Sequence, residues 1–559
     1  MDMTIIRKYL IILSAILPYS AIAQNSSAVQ LGKYNNAFES RHVENSALQT
    51  SYADWYFLRN NPAFHQYFTK ERNNTYDFKE IEDKNIVAVK SFNTKTKGDY
   101  LFYQGDKVEN NAVFASGRMD FEKQGTLYGS AQYSREKKKN TLLNYVVNPE
   151  HYYPYLVSDT LGKGDQQYEV YNVQGGYSFA HRNMYYGVGL SYQGVAMSKL
   201  TDPRLSVYDS WFKVDVGVAR PFQNHLISFK ANYEVNKQDI SASSTLFKAP
   251  SVLQFNGLGT WRNTEVKATQ GYERMLEIKG YGFELAYKKL RKQSTDLGFT
   301  FGLAYQTREM NTEDNSQLGF ESNSKLNLFA LNSHSFNPLI SVEKNFSRFG
   351  LTFLFSGINQ VRKGKEYIYK SEKVSSAQNL YNYIKVAAND FYTQYNFENT
   401  TSLKLSMPFS VTQTYYLLTG ATHCLYKQEY VYPSKEIKNE TFSPFIALGY
   451  NGVYQKNTVE INLLYRHNKA LNNVYATANT LNKISLDQSY IPYLIRSESG
   501  YQLESEVLYT YSVASGQSIG VSASIAYLHR NKYDDVLGNY TVMAPRSDTL
   551  FDFKLFYMF

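Results

Sequence analysis

The sequence predicts an all-β fold, a transmembrane antiparallel β-barrel of about 18 strands, and three observations predict it. From Glu109 onward, apolar and polar residues alternate with period two in segments of roughly ten to fifteen residues. These segments form pairs whose connections are short on one side and long on the other. The composition also favours strands: 16% of the 559 residues are aromatic, with 51 Tyr and 34 Phe against 13 Pro.

The N-terminus is read first, as an export signal. Arg7 and Lys8 supply its positive region, Tyr9 to Ile16 its apolar stretch and Ala21-Ile22-Ala23 its small-residue site, so cleavage is expected near Ala23/Gln24. Residues 1–23 are therefore the signal. No later apolar run is long enough for a membrane helix, and the mean hydropathy is −0.45, which excludes a polytopic helical protein. The one cysteine, Cys424, excludes an intramolecular disulfide framework, a cysteine-built zinc site and N-terminal acylation of the mature chain. The formal charge of +9 falls to about +8 when Asp2, Arg7 and Lys8 leave. In an exported chain this charge argues against nucleic acid and for the anionic phosphates of outer-membrane lipid and lipopolysaccharide. Runs such as Arg135-Glu136-Lys137-Lys138-Lys139 and Arg362-Lys363-Gly364-Lys365 read as solvated loop ends.

Residues 24–80 lack the period and are rich in Asn, Ser and charge. They read as an N-terminal periplasmic or plug segment, with a helix over about 42–59 that ends near Pro62. Residues 81–559 are the barrel. Its expected strands are 86–92, 109–121, 124–136, 167–180, 184–198, 205–219, 224–239, 271–287, 295–309, 336–346, 349–363, 390–407, 411–428, 441–454, 457–468, 498–513, 516–530 and 548–559, with merged counts of 14 or 16 as alternatives. The clearest places Ile227, Phe229, Ala231, Tyr233 and Val235 on one face and Ser228, Lys230, Asn232, Glu234 and Asn236 on the other. A fatty face opposite a polar one suits a cylinder in hydrocarbon, where closure leaves no backbone amide unpaired. Tyrosines near strand ends, such as Tyr133, Tyr177, Tyr192, Tyr233, Tyr287, Tyr305, Tyr465 and Tyr527, suit the membrane interface. The competing architecture is a secreted soluble sandwich or propeller, in which two apolar faces pack together.

Short turns near 122, 182, 222, 291, 347, 409, 455 and 514 face longer segments such as 137–166, 240–270, 310–335, 364–389 and 469–497. The polar rows predict a lumen lined by Lys213, Asp215, Lys230, Glu234, Glu460, Arg466, Glu504 and Glu506. Mixed charges in that position either set selectivity or pair with one another and fill the interior. The aromatic segment from Tyr145 to Tyr155 offers contact area to a partner or packs over the pore mouth.

Phe551, Phe553, Leu555, Tyr557 and Phe559 occupy alternate positions to the end, and this pattern resembles the signal read by the outer-membrane barrel assembly machinery. Asn60-Asn61-Pro62-Ala63-Phe64 resembles the Asn-Pro-Ala turn that precedes the first strand of fatty-acid-transporter-like barrels. Together with Ala21-Ile22-Ala23-Gln24, Trp55 and the Tyr/Phe-rich hairpins, these features resemble an uncharacterised outer-membrane β-barrel family of Bacteroidota across most of the chain. The resemblance implies a place in the Gram-negative outer membrane, beside a surface lipoprotein or TonB-dependent receptor, and a role in nutrient handling. The large plug domain of such a receptor is not evident in the sequence.

Chemistry is sparse. His334-Ser335 with Asn337 supplies the residue types of a hydrolase, but neighbours on a strand project to opposite faces. Asp534-Asp535 near His529 reads as an ordinary loop pair. The nine histidines show no metal-ligand spacing and no phosphate-binding glycine loop opens a helix, so neither a cofactor nor a catalytic residue is expected. The expected function is a channel or accessory component for solute passage. The alternatives are a structural or binding barrel and, third, an outer-membrane hydrolase.

Overall fold

The computed structural model describes residues 58, 60–71, 85–98, 100–101, 103–121, 124–141, 144–159, 164–199, 204–243, 251–256, 260–267, 272–314, 326–375, 380–410, 412–432, 434–477, 490–514, 516–531 and 546–559. The expected signal and the 42–59 helix lie outside these residues, apart from Leu58. The strands in chain order are β1 (Ile86–Lys97), β2 (Lys107–Phe121), β3 (Gly125–Thr141), β4 (Leu156–Asp159), β5 (Gly164–His181), β6 (Met184–Lys199), β7 (Arg204–Phe222), β8 (His225–Ser243), β9 (Ser251–Asn256), β10 (Thr260–Lys267), β11 (Tyr272–Lys289), β12 (Leu297–Asp314), β13 (Leu326–Asn345), β14 (Gly350–Ser375), β15 (Leu380–Ser410), β16 (Gln413–Tyr430), β17 (Lys435–Tyr454), β18 (Asn457–Thr477), β19 (Gly500–Ala514), β20 (Gln517–Arg530) and β21 (Arg546–Met558). Among the described residues, three helices accompany them: α1 (Phe64–Glu71), α2 (Pro149–Tyr152) and α3 (Tyr490–Ser497).

Eighteen strands form one antiparallel sheet, each paired with its neighbour along the chain except where β4 and the β9–β10 hairpin stand aside as a separate three-stranded sheet. The sheet closes on itself. Pairing of β1 with β21 runs from Ile86 opposite Met558 to Lys97 opposite Ser547, and the Phe559 and Asn85 backbones exchange two further hydrogen bonds. Each of the eighteen predicted segments overlaps one strand of the ring.

The alternation is expressed as burial. On β8, Ile227, Phe229 and Tyr233 face outward, while Ser228, Lys230, Glu234 and Asn236 are buried. On β21, Phe551, Phe553, Leu555 and Tyr557 face outward, whereas Asp552, Lys554 and Phe556 are buried. Tyr133, Tyr177, Tyr192, Tyr305 and Tyr465 are also exposed, between 37% and 47%. The ring therefore wears its large apolar side chains outside, the reverse of a water-soluble protein, and its core is the interior of the cylinder.

The strands differ from expectation mainly at the long-loop end. β14 and β15 continue as a two-stranded ribbon, 26 and 31 residues long, with bulges near Gly364 and Ile368. The run Arg362-Lys363-Gly364-Lys365 is thus strand and not loop: Arg362 and Gly364 are buried while Lys363 and Lys365 are exposed. Arg135 to Lys139 likewise lies within β3, where Glu136 is buried and sits 3.4 Å from the Lys138 ammonium. β13 starts ten residues before the expected 336, because Leu328-Phe329-Ala330-Leu331 is buried on both faces and shows no alternation. Here the period fails because neither face meets the outside.

Candidate functional site

The lumen is occupied from both ends by the protein's own chain. At the short-turn end lies α1, which follows Pro62. Asn61 shapes the turn before it: its Oδ1 accepts from the Ala63 amide at 3.0 Å, and its Nδ2 donates to the Phe229 carbonyl at 3.0 Å and the Val218 carbonyl at 3.4 Å. The barrel wall makes room with glycine. A Cβ on Gly217 would stand 1.9 Å from Asn61 Oδ1, and one on Gly187 would stand 2.3 Å from the Pro62 carbonyl carbon, so only glycine admits the Asn-Pro-Ala turn here. Ser178 Oγ then donates to the Ala63 carbonyl and accepts from the Gln66 amide. Phe64, Tyr67 and Phe68 complete the contact against Tyr185, Ala219, Leu226, Ala286 and Leu290.

At the opposite end, the connection between β3 and β5 folds inward, carrying α2 and β4. Tyr145, Val146, Tyr152, Tyr155 and Leu156 are each at most 1% exposed and pack against the β6–β8, β11–β13 and β15–β17 walls. The aromatic segment is therefore buried in the barrel and offers no partner surface. Polar groups hold it in place. Gln238 brackets the Val147 peptide, accepting at 3.0 Å and donating at 3.2 Å, and the Tyr152 hydroxyl donates to Asn236. Arg274 donates to the Leu156 carbonyl at 3.2 Å while it pairs with Asp314 at 2.7 Å, both side chains fully buried. Arg362 donates to the carbonyls of Glu150, at 2.8 Å, and of His151. Burial, helped by Arg308 and Arg362, pushes the His151 imidazole down to about 3, so it stays neutral. Burial also holds the Glu150 carboxyl above its usual value, against the pull of Arg496.

The expected lumen residues fall into two groups. Lys213, Asp215, Lys230 and Glu234 share the β7–β8 wall between the two inserted segments. Lys213 pairs with Asp215 at 3.1 Å and Lys230 with Glu284 on β11 at 2.8 Å. Glu234 accepts from Arg308 at 2.5 Å and from the Trp211 indole at 3.1 Å. Glu460, Arg466, Glu504 and Glu506 lie on β18 and β19. Asn451 donates to Glu460 at 3.0 Å, Ser522 donates to Glu506 at 3.3 Å, Gln502 donates to Glu504 at 3.5 Å, and the Arg466 guanidinium lies 5.4 Å from the Phe445 ring centre. These groups form a polar ladder around the wall, not one constellation.

Sequence reading missed Arg274, Asp314, Arg308 and Arg362. The expected strand 349–363 already contains Arg362, and its alternation places that residue inward, a signal that was present but obscured by the charged run. The hydrolase candidate separates as expected from strand geometry: His334 is exposed beside the Tyr305 hydroxyl, whereas Ser335 donates to the Gln306 carbonyl. Asp534-Asp535 lies outside the described residues. Among the described residues, no three His, Cys, Asp or Glu side chains are grouped to hold a metal ion.

Residues 78–555 match the model of a family of unknown function, DUF6850. No curated protein matches the chain by sequence. Similar solved structures include the siderophore receptor PiuA from Acinetobacter baumannii, at 8% identity, with 85% of this chain and 82% of that chain covered and a TM-score of 0.40. The ferric-catecholate import receptor Fiu from K12 E. coli is 9% identical, with 86% and 82% covered and a TM-score of 0.40. The outer-membrane transporter YddB from Escherichia coli is 8% identical, with 86% and 81% covered and a TM-score of 0.39. The likeness is one of barrel architecture alone.

Proposed function

Because the chain belongs to the family of unknown function DUF6850, whose description names no activity, we propose from its own geometry that it is an outer-membrane barrel passing a solute through a lumen that its own segments close. The observation that carries this reading is the double occupancy of the cylinder. Asn61 to Glu71 fills the short-turn end, Tyr145 to Val157 fills the long-loop end, and a charged wall lies between them. A barrel that served only as a scaffold would need no charged interior, since buried ion pairs are weak contributors to stability and apolar packing replaces them at little cost.

The apolar outer face supports hydrocarbon as the barrel's solvent, with lipid and lipopolysaccharide around it. The reading keeps residues 1–23 as an export signal, 24–80 as the N-terminal periplasmic or plug segment and 81–559 as the barrel. Placement in a Bacteroidota outer membrane and partnership with a surface lipoprotein or a TonB-dependent receptor remain part of this proposal, carried by the sequence resemblance.

Planar-bilayer recording of the purified protein tests the reading. The intact chain should conduct rarely, and a variant lacking both residues 24–71 and residues 144–159 should give steady channels. Silence from the deletion variant, with barrel migration preserved in heat-modifiable gels, would sink the proposal. If a stoichiometric partner co-purified with that silent barrel, the scaffold reading would take its place.

A further inference from the structure

Between the inserted loop and the β12–β17 wall lies a cavity of about 190 Å³, many times the roughly 10–15 Å³ that a single water requires. Three arginines line it: Arg308 from β12, Arg362 from β14 and Arg496 from α3. The Arg308 charge is answered by Glu234 at 2.5 Å. Among the described residues, neither Arg362 nor Arg496 has a carboxylate within ion-pair distance. Arg362 is 5% exposed and spends its terminal nitrogens on the Glu150 and His151 carbonyls and on Gln394, while its Nε has no partner. The Arg496 guanidinium lies 4.1 Å from the Tyr426 ring centre.

The carboxylate on the lining, Glu150, accepts the Tyr103 hydroxyl at 2.8 Å, so one carboxylate faces two arginines that lack an ion-pair partner among the described residues. The cavity therefore carries surplus positive charge and an unfilled N–H. Burying unanswered charge is costly, and planar guanidinium groups match oxyanions best. Part of the lining is apolar, formed by Leu156, Ile278, Met310, Leu331 and Ile437, and Tyr153 and Tyr426 also line the cavity. This mixture suits an anion with a carbon skeleton better than a bare inorganic ion.

We propose that the cavity is a binding subsite for a small organic oxyanion, held by Arg362 and Arg496, with Tyr426 and the apolar wall receiving its skeleton. The subsite deepens the passage reading and rests on it for the ligand's route of entry. When the site is filled, the ligand's charge replaces the missing counter-charge beneath the loop, so binding should tighten the loop against the wall.

Titration calorimetry on the detergent-solubilised full chain tests this, with citrate as the anionic probe and glucose as the neutral one. Citrate should bind and glucose should not. Arg496→Gln should weaken citrate by about tenfold or more, and Arg496→Lys should recover part of the loss because it restores charge without the planar fork. Arg362→Gln should act likewise, but it also frees the loop, so Arg496 is the cleaner position. Equal binding of glucose, no citrate binding at millimolar concentration, or unchanged affinity in a folded Arg496→Gln barrel would each overturn the proposal. Calorimetry needs no membrane, so failed binding beside intact channel activity of the deletion variant discards the subsite alone. Intact binding without channels discards the passage reading.

Discussion

The two segments that close the lumen are held by different balances of force. Asn61 to Glu71 docks largely by shape: a turn sits in a niche cut by Gly187 and Gly217, backbone carbonyls accept from Asn61, and aromatic rings pack on apolar wall, with polar ties from Ser178, Thr126 and Arg118. The loop carrying α2 docks by polarity as well as by packing, through Gln238, Arg274–Asp314, Arg362 and the neutral His151. Shape and apolar burial hardly respond to proton or ion concentration, whereas buried polar partners do. The long-loop end therefore depends more on buried charge than the short-turn end does.

The largest effect should come from Arg274→Met, which removes the guanidinium paired with the buried Asp314, whose carboxylate also accepts from the Tyr272 hydroxyl. Breaking one partner out of a buried pair costs about 3–5 kcal/mol, and the loop also loses its donor to the Leu156 carbonyl. Limited proteolysis should cut the variant within 144–159 while α1 stays protected, and adding Asp314→Leu should restore much of the protection. If the single variant resisted cleavage as the parent does, the loop would not depend on its polar anchors. At the other end, Gly217→Val forces a side chain onto Asn61 and Pro62, an overpacking cost of about 1–3 kcal/mol. Cleavage should then appear near α1 and nowhere in the loop; a protected α1 would mean that the niche is not what seats the turn.

Acid should sharpen the contrast. Docked, His151 is held near 3, far below its ordinary 6.5, so the undocked loop binds the proton first. Stability of the docked loop is complete above about pH 6.5 and is lost progressively towards pH 3, by about 2 kcal/mol at pH 5. Glu150, whose carboxyl burial holds upward, acts in the opposite direction, so the titration is best made in Glu150→Gln. In that background, loop protection should fall from pH 7 to pH 5. His151→Gln should remove the fall, and an unchanged pH profile in His151→Gln would assign the effect elsewhere.

The ring was legible in the sequence because each wall strand meets two different environments, and a period of two records that difference. β8 and β21 show it along their length: Ile227 and Phe551 face outward, Lys230 and Lys554 inward. What the period cannot record is what fills the inside, since a polar inward row is equally compatible with water, an ion partner or an inserted loop. Lys230 and Glu234 were therefore readable as inward, but Glu284 and Arg308, their partners across the wall, were not. Tyr152 and Tyr155 lie outside any strand and carried no directional signal, so their insertion depended on contacts distant in sequence. Leu328 to Leu331 marks the other limit, where burial on both faces erases the alternation.

The smallest expected effect separates hydrogen bonding from shape within the α1 niche. Ser178 is fully buried and serves the segment twice, donating to the Ala63 carbonyl at 3.1 Å and accepting from the Gln66 amide at 3.0 Å. Ser178→Ala removes both bonds without adding volume and leaves one donor and one acceptor to find other partners, a cost of about 1–3 kcal/mol at most if they stay dry. The Gly217 niche and the Phe64, Tyr67 and Phe68 contacts remain. If shape dominates, the cleavage rate near α1 should rise less than it does in Gly217→Val. A rise as large as that of Gly217→Val would instead make α1 a polar-anchored segment like the loop, and the difference between the two ends of the lumen would disappear.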